Sequence, residues 1–275
     1  MHDLPLIIFT LTVQAAVGVF LWSTISRLRN QEVPYAKTTT LTALILTTVG
    51  IIFSLFHLGK PFMAFSSLSK LFSSPLSQEI FFSGGFFVLV AIAYYFERSA
   101  QINDKLKAIW SVVTSFVGLV AVNSMAIVYM NTVFSAWQSW NTLVDFYAAT
   151  LILGAVVFLL TTCEHKTEKM FRLDLIMLVV VLVQMALVPS FMASLGAASG
   201  AAQQSAALLT GAYGVAFVVR WVLVLGGVFL MLISQSGRLA GKAGTLYVAS
   251  GVLIVGMFIG RYLFYATGVA SGIGL

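Results

Sequence analysis

Eight long apolar runs constrain this chain more than any other feature: Leu4–Ile25, Thr38–Phe56, Ile80–Phe96, Ile109–Met130, Leu143–Cys163, Leu175–Leu195, Tyr213–Ile233 and Leu246–Tyr265. A bilayer core is roughly 30 Å thick, so a crossing helix needs about 20 apolar residues. Each run meets or approaches that length. Period-two alternation is absent, and backbone in lipid must be satisfied as helix or as closed barrel. The expected fold class is all-α, a polytopic membrane bundle of eight transmembrane helices. Composition agrees, because 9% of residues are charged where a soluble domain carries about 25%. The connections are too short to fold alone, so residues 1–275 read as a single integral membrane domain. The N-terminal run lacks a basic leader and a clear small-residue cleavage site, and reads as a retained helix.

Orientation follows from the placement of Lys and Arg, which favour the cytoplasmic side. The connections after runs one, three, five and seven hold Arg27, Arg29 and Lys37; Arg98, Lys105 and Lys107; Lys166, Lys169 and Arg172; and Arg238 and Lys242, eleven of the 15 basic residues. The other side holds Lys60 and Lys70. Both termini are therefore expected on the outer (periplasmic) side. The same distribution makes the net charge of +6 a matter of topology rather than of nucleic-acid binding. The single cysteine, Cys163, excludes an internal disulfide and an iron–sulfur cluster held by this chain alone, which takes about four thiolates.

Ionisable groups at membrane depth are costly and usually face a cavity or the bundle interior. Arg220 lies about seven residues into the seventh run. It either snorkels to the outer interface or faces inward to meet a carboxylate or a ligand oxygen. Glu79 and Arg261 are counted near the same outer level. His57 ends the second run and Glu79 precedes the third, so both could face one cavity. The plainer alternatives are a carboxylate favoured by a helix N-terminus, with Ser77 as the cap, and an interfacial imidazole bonded to backbone. Gln14, Asn123 and Gln184 read as bonds between helices. Gly256 and Gly260 read as a close-packing pair, and Pro189 as a kink. Tyr129, Trp137 and Trp140 read as interfacial anchors. The other histidines, His2 and His165, flank the bundle, which leaves no pair for a bis-histidine haem and no metal site.

The stretch "HLGKPFMAFSSLSKLFSSPLSQEI" resembles the loop between helices two and three of the membrane-anchor subunit of dimethyl sulfoxide reductases. The likeness runs through His57, Leu58, Gly59 and Pro61, then Ala64, Phe65, Ser67 and Leu68, then Leu76, Ser77 and Glu79. The last helix is similar through Gly260, Arg261, Phe264 and Tyr265, and the start through His2, Pro5, Ile8, Phe9 and Thr10. The resemblance implies an anchor in the bacterial inner membrane, not itself the catalytic subunit of its oxidoreductase complex. It implies two partners on the outer face, a molybdopterin catalytic subunit and a four-cluster iron–sulfur subunit. Menaquinol would be oxidised to menaquinone in this protein, with no haem and no iron–sulfur cluster of its own, in anaerobic respiration. The resemblance assigns the proton chemistry to His57 and Glu79, and extends quinol binding to Arg220, Arg261, Tyr129, Pro61 and Phe65. Histidine suits the removal of protons from a quinol, since its reference pKa is about 6.5. Two other readings stand beside this one: the anchor of a related molybdoenzyme, such as a polysulfide or other oxide reductase, and a small-solute transporter.

Overall fold

The structure, a computed structural model, describes residues 3–29, 33–57, 74–163, 172–198, 200–235 and 243–271. Among these residues it holds nine α-helices and one short 3₁₀ turn. The helices are α1 (Leu4–Arg29), α2 (Ala36–His57), α3 (Pro75–Arg98), α4 (Asp104–Met130), α5 (Trp140–Thr162), α6 (Leu173–Ala197), α7 (Ala201–Thr210), α8 (Gly214–Gln235) and α9 (Ala243–Ala266). All except α7 are long and apolar enough to cross a membrane, in agreement with the eight expected spans. At 1.5 Å per residue the 26 residues of α1 extend roughly 39 Å, beyond the hydrocarbon core.

The helices outrun the apolar runs at several ends. α3 starts at Pro75 rather than at Ile80, because a proline at the first helical position has its φ preset and lacks only an N–H that would go unpaired anyway. Its N-cap is Ser74, without a side-chain bond, and not Ser77, which is buried within the helix. α4 starts at Asp104 rather than at Ile109. There the Asn103 side chain accepts a bond from the Leu106 N–H at 2.7 Å. The segment expected as one outer loop, Gly196–Ala212, contains α7, preceded by Gly200 at φ 65°. α6 departs less from its run, continuing through Pro189 to Ala197.

The protein forms two compact units. The first comprises Met1–Met125 and Ala149–Phe171, the second Ala126–Ala148 and Arg172–Leu275. In the first, α1 is the core helix. Val13, Ala16, Val17 and Val19 have no exposure. α1 packs on α2, and α2 on α3. A Cβ on Gly18 would lie 2.0 Å from the Thr150 carbonyl oxygen and 2.6 Å from Gly154 Cα, so two glycines let α1 and α5 touch backbone to backbone. Polar side chains join the same helices, as expected where lipid offers no alternative partner. Trp22 Nε1 donates to the Leu151 carbonyl at 3.2 Å, Ser23 and Thr39 bond at 2.8 Å, and Ser115 donates to Thr24 Oγ1 at 2.9 Å. Ser26 bonds to Tyr35, and Arg27 pairs with Glu97.

In the second unit α8 packs on α9 and α6 on α8. The α8–α9 contact is antiparallel and glycine-lined. A Cβ on Gly256 would meet Val224 at 2.9 Å, one on Gly227 would meet Leu253 at 2.6 Å, and one on Gly260 would meet Arg220 Nε at 2.6 Å. The expected small-residue pair, Gly256 and Gly260, is thus what admits α8. α7 lays Ala202, Ser205 and Leu209 against its surroundings and exposes Gln203 and Gln204. Large apolar side chains such as Val215, Val222 and Phe229 remain exposed, which suits a surface facing lipid rather than water.

Candidate functional site

Glu79 is one of the buried residues on α3, 6% exposed. It sits on the stripe that includes Ser83, Phe86, Val90 and Ala93, spaced by three or four residues as one helix face requires. Because α3 begins at Pro75, Glu79 lies beyond the first turn, where α3 has no acidic residue. The reading of Glu79 as a first-turn anion held by the helix dipole is therefore corrected. His57 is the last residue of α2; its side chain lies outside the described residues, as do Pro61, Phe65, Lys60, Lys70, His2 and His165. α2 and α3 are packed neighbours within the first unit.

The second unit gathers a different set. Arg220 on α8 donates from Nη2 to Asp145 Oδ1 on α5 at 2.9 Å, and both side chains are largely buried. Gln184 on α6 donates to the same Oδ1 at 2.9 Å. One carboxylate oxygen thus ties three helices together. Arg220 also lies over the Trp221 ring at 4.8 Å. Of the two readings for Arg220, the inward cation with a carboxylate partner is the one the structure holds. The partner is Asp145, which the hydropathy of its run concealed. The signal was available: an acidic residue inside an apolar run is a functional or pairing group by default. Gln184 bonds between helices as expected.

A cavity of about 70 Å³ adjoins this pair, lined by Asn141, Asp145, Phe191, Phe217, Arg220 and Phe264 among others. Its aromatic side is built from the connection between α4 and α5. Trp137 stacks on Phe264 at 5.1 Å with planes 10° apart, and its Nε1 donates to the Phe264 carbonyl at 2.7 Å. Thr142 returns a bond to the Trp137 carbonyl at 2.8 Å. Trp137 is therefore buried, at 7% exposure, whereas Trp140 is 76% exposed. The anchoring role expected of both suits Trp140 alone. Gly268 stands under Trp137, where a Cβ would be 2.8 Å from the indole.

Tyr129, also expected as an interfacial anchor or a quinol contact, bonds to Tyr265 at 2.5 Å and is buried. Arg261 is 2% exposed; its guanidinium lies 3.9 Å from the centre of the Phe146 ring and 5.5 Å from that of Phe264. A desolvated cation over a ring is worth about 2 kcal/mol, which helps Arg261 to stay inside. Arg261 is thus part of the aromatic core of the second unit.

A family model described as "DMSO reductase anchor subunit (DmsC)" matches residues 1–267. The protein is 26% identical over 280 residues to the C subunit of the anaerobic dimethyl sulfoxide reductase of Escherichia coli, covering 98% of this sequence and 96% of that one. It is 29% identical over 177 residues to the subunit of the same name from Haemophilus influenzae, covering 63% of each. The YnfH subunit of an anaerobic dimethyl sulfoxide reductase, also from Escherichia coli, is 26% identical over 284 residues, covering 100% of this sequence and 98% of that one.

Proposed function

Because the protein belongs to the DMSO reductase anchor subunit family, we propose that it serves as the membrane anchor and quinol-oxidising subunit of a DMSO reductase-type complex. It holds a molybdopterin catalytic subunit and a four-cluster iron–sulfur subunit at the outer face of the bacterial inner membrane. Menaquinol is the substrate of the anchor. Both termini face the same outer side, as the distribution of basic residues supports.

Oxidation of menaquinol to menaquinone releases two electrons and two protons. The electrons pass to the iron–sulfur subunit and on to the catalytic subunit. Each hydroxyl must lose its proton as the electrons leave, so an acceptor has to stand within hydrogen-bond reach. His57 takes the two protons one after the other, and each passes to Glu79, which releases it outward before the next is taken. Pro61 and Phe65 belong to the connection that would wall the ring. The observation that carries this reading is Glu79, a carboxylate placed on the buried face of an apolar helix where a purely structural anchor has no use for one. Arg220, Arg261 and Tyr129 belong to the second unit and are not drawn into these steps.

The experiment compares two electron donors in the purified complex. With menaquinol as donor, His57→Ala and Glu79→Gln lower DMSO reduction about 100-fold, the scale of a lost proton acceptor. With a reduced dye that feeds the partner subunits directly, both variants keep the native rate. Native menaquinol-dependent rates in both variants would remove the roles given to these residues.

A further inference from the structure

We propose that the first unit carries a selective site for an anionic phospholipid. Arg98 and Lys105, at the two ends of the connection between α3 and α4, hold the lipid phosphate, and the acyl chains lie along the two helices beyond them. The site is independent of the quinol reading, since neither His57 nor Glu79 takes part in it.

The first argument is the charge left over. Residues 94–107 hold two carboxylates, Glu97 and Asp104. Glu97 pairs with Arg27, and Lys107 reaches Asp104 at 3.7 Å, so each carboxylate already has its cation. Arg98 and Lys105 are exposed and form no ion pair among the described residues. Two positive charges therefore remain for an outside partner. The second argument is the surface that continues from each cation. Residues three, four and seven apart share one helix face. From Lys105 that face of α4 carries Ile109, Val112 and Phe116, and from Arg98 that face of α3 carries Tyr95 and Val88, all of them exposed. At 1.5 Å per residue, Lys105–Phe116 extends about 16 Å and Arg98–Val88 about 15 Å, which is the depth of one leaflet of a core roughly 30 Å thick. Each stripe has a cation at its head and apolar side chains for the length of an acyl chain, the same division that a phospholipid has.

The two stripes are held side by side. Trp110 Nε1 donates to the Leu89 carbonyl at 3.1 Å, and the Trp110 ring lies 5.3 Å from that of Phe96, so an indole closes the seam between α3 and α4. Both cations stand at secured helix ends. The Ser99 N–H bonds back to the Tyr95 carbonyl at 3.1 Å, Asn103 caps α4 through the Leu106 N–H at 2.7 Å, and the Arg98 guanidinium lies 5.9 Å from the centre of the Tyr94 ring. A zwitterionic lipid brings an ammonium of its own toward these cations and cancels part of the attraction. A lipid whose phosphate is its only charge keeps all of it, which is why the site selects for net negative charge.

The test places the full complex in phosphatidylcholine vesicles with a small fraction of phosphatidylglycerol bearing a photoactivatable acyl chain, and maps the labelled peptides. Two cations near an anionic headgroup predict labelling of residues 88–98 and 104–116 about thirtyfold above that by phosphatidylcholine with the same chain. Arg98→Gln or Lys105→Gln lowers this excess about fivefold, and the two together abolish it. Both positions are exposed, so the thermal midpoint of the complex stays at its native value. Sodium chloride at about 0.5 M reduces the excess by screening. Lys37→Gln, which removes an exposed cation at the start of α2, leaves it within about twofold, because that charge lies outside the α3–α4 site. Free glycerol 3-phosphate does not compete, since it lacks the chains. The proposal is overturned if both lipids label the native protein equally, if the double variant keeps the excess, if Lys37→Gln lowers it as far as Lys105→Gln does, or if glycerol 3-phosphate displaces the lipid, which would make this a site for soluble phosphate.

Discussion

Replacing Gly18 by alanine tests whether backbone contact between α1 and α5 holds the first unit together. The added methyl would sit 2.0 Å from the Thr150 carbonyl oxygen and 2.6 Å from Gly154 Cα. Neither is the end of a flexible side chain, so the helices themselves must part. A shift of about 1 Å is needed to reach a tolerable contact, and a gap of that size forfeits about a quarter to a half of each dispersion contact along the seam. If the seam holds as many contacts as two buried leucines, about 100 pairs at ~0.1 kcal/mol, the loss is about 2.5–5 kcal/mol. The Trp22 bond to Leu151, already 3.2 Å long, lies one turn further along and is lost too, for about 1 kcal/mol. Against this, alanine gains about 1 kcal/mol of helix propensity over glycine. The last two cancel, and the net expectation is a loss of about 2.5–5 kcal/mol. Reversible unfolding in mixed micelles measures it. Gly84→Ala is the control, since nothing lies within 4 Å of its Cβ; that variant is neutral or slightly stabilised. A Gly18→Ala protein that unfolds within about 0.5 kcal/mol of the native one, the range of an inconsequential surface change, would refute the reasoning.

Gly260→Ala makes a short contact too, but with the flexible end of Arg220. It is expected to cost less stability than Gly18→Ala in the same unfolding assay, about 1 kcal/mol, the low end of overpacking. Asp145→Ala strands Arg220 and is expected to cost about 3–5 kcal/mol, whereas Asp145→Leu combined with Arg220→Leu costs less because no lone charge remains; the unfolding free energies of the single and double variants decide it. Trp137→Phe keeps a ring on Phe264 but removes the indole N–H bond to its carbonyl, for about 1 kcal/mol, read as a fall of about 2–4 °C in the thermal midpoint.

The number and place of the membrane-crossing helices were legible because apolar length is a property of the sequence itself. Their ends were not. Hydropathy stops where polar residues begin, but a helix stops where capping does. Asp104–Lys107 is polar and still helical, helped by Asn103, and Pro75 opens α3 five residues before the apolar run. α7 was invisible because ten Ala-, Gln- and Ser-rich residues carry neither the length of a span nor a strong apolar face. At the sites, Arg220 was singled out and Asp145 carried the same kind of signal, but that the two pair could not be read. Asp145 is a single charge in a run whose average is strongly apolar, and pairing between α5 and α8 is a fact of packing that spacing along the sequence does not encode. Trp137 failed in the opposite sense. A tryptophan beside a span is commonly interfacial, and only the turn at Ser135–Trp137 rotates it inward onto Phe264. His57, Pro61 and Phe65 rest on the resemblance of their loop.

Residues 267–271, which follow α9, are sewn down. Ser271 reaches the Val133 carbonyl with its backbone N–H at 2.7 Å and with its hydroxyl at 2.6 Å, and Phe134 pairs with Ala270 as an isolated bridge. Anyone attaching a purification handle or a fluorescent reporter there is pulling on the strap that seats Trp137. A spacer beyond Ser271 should spare the indole, while trimming back past Gly268 should unroof it.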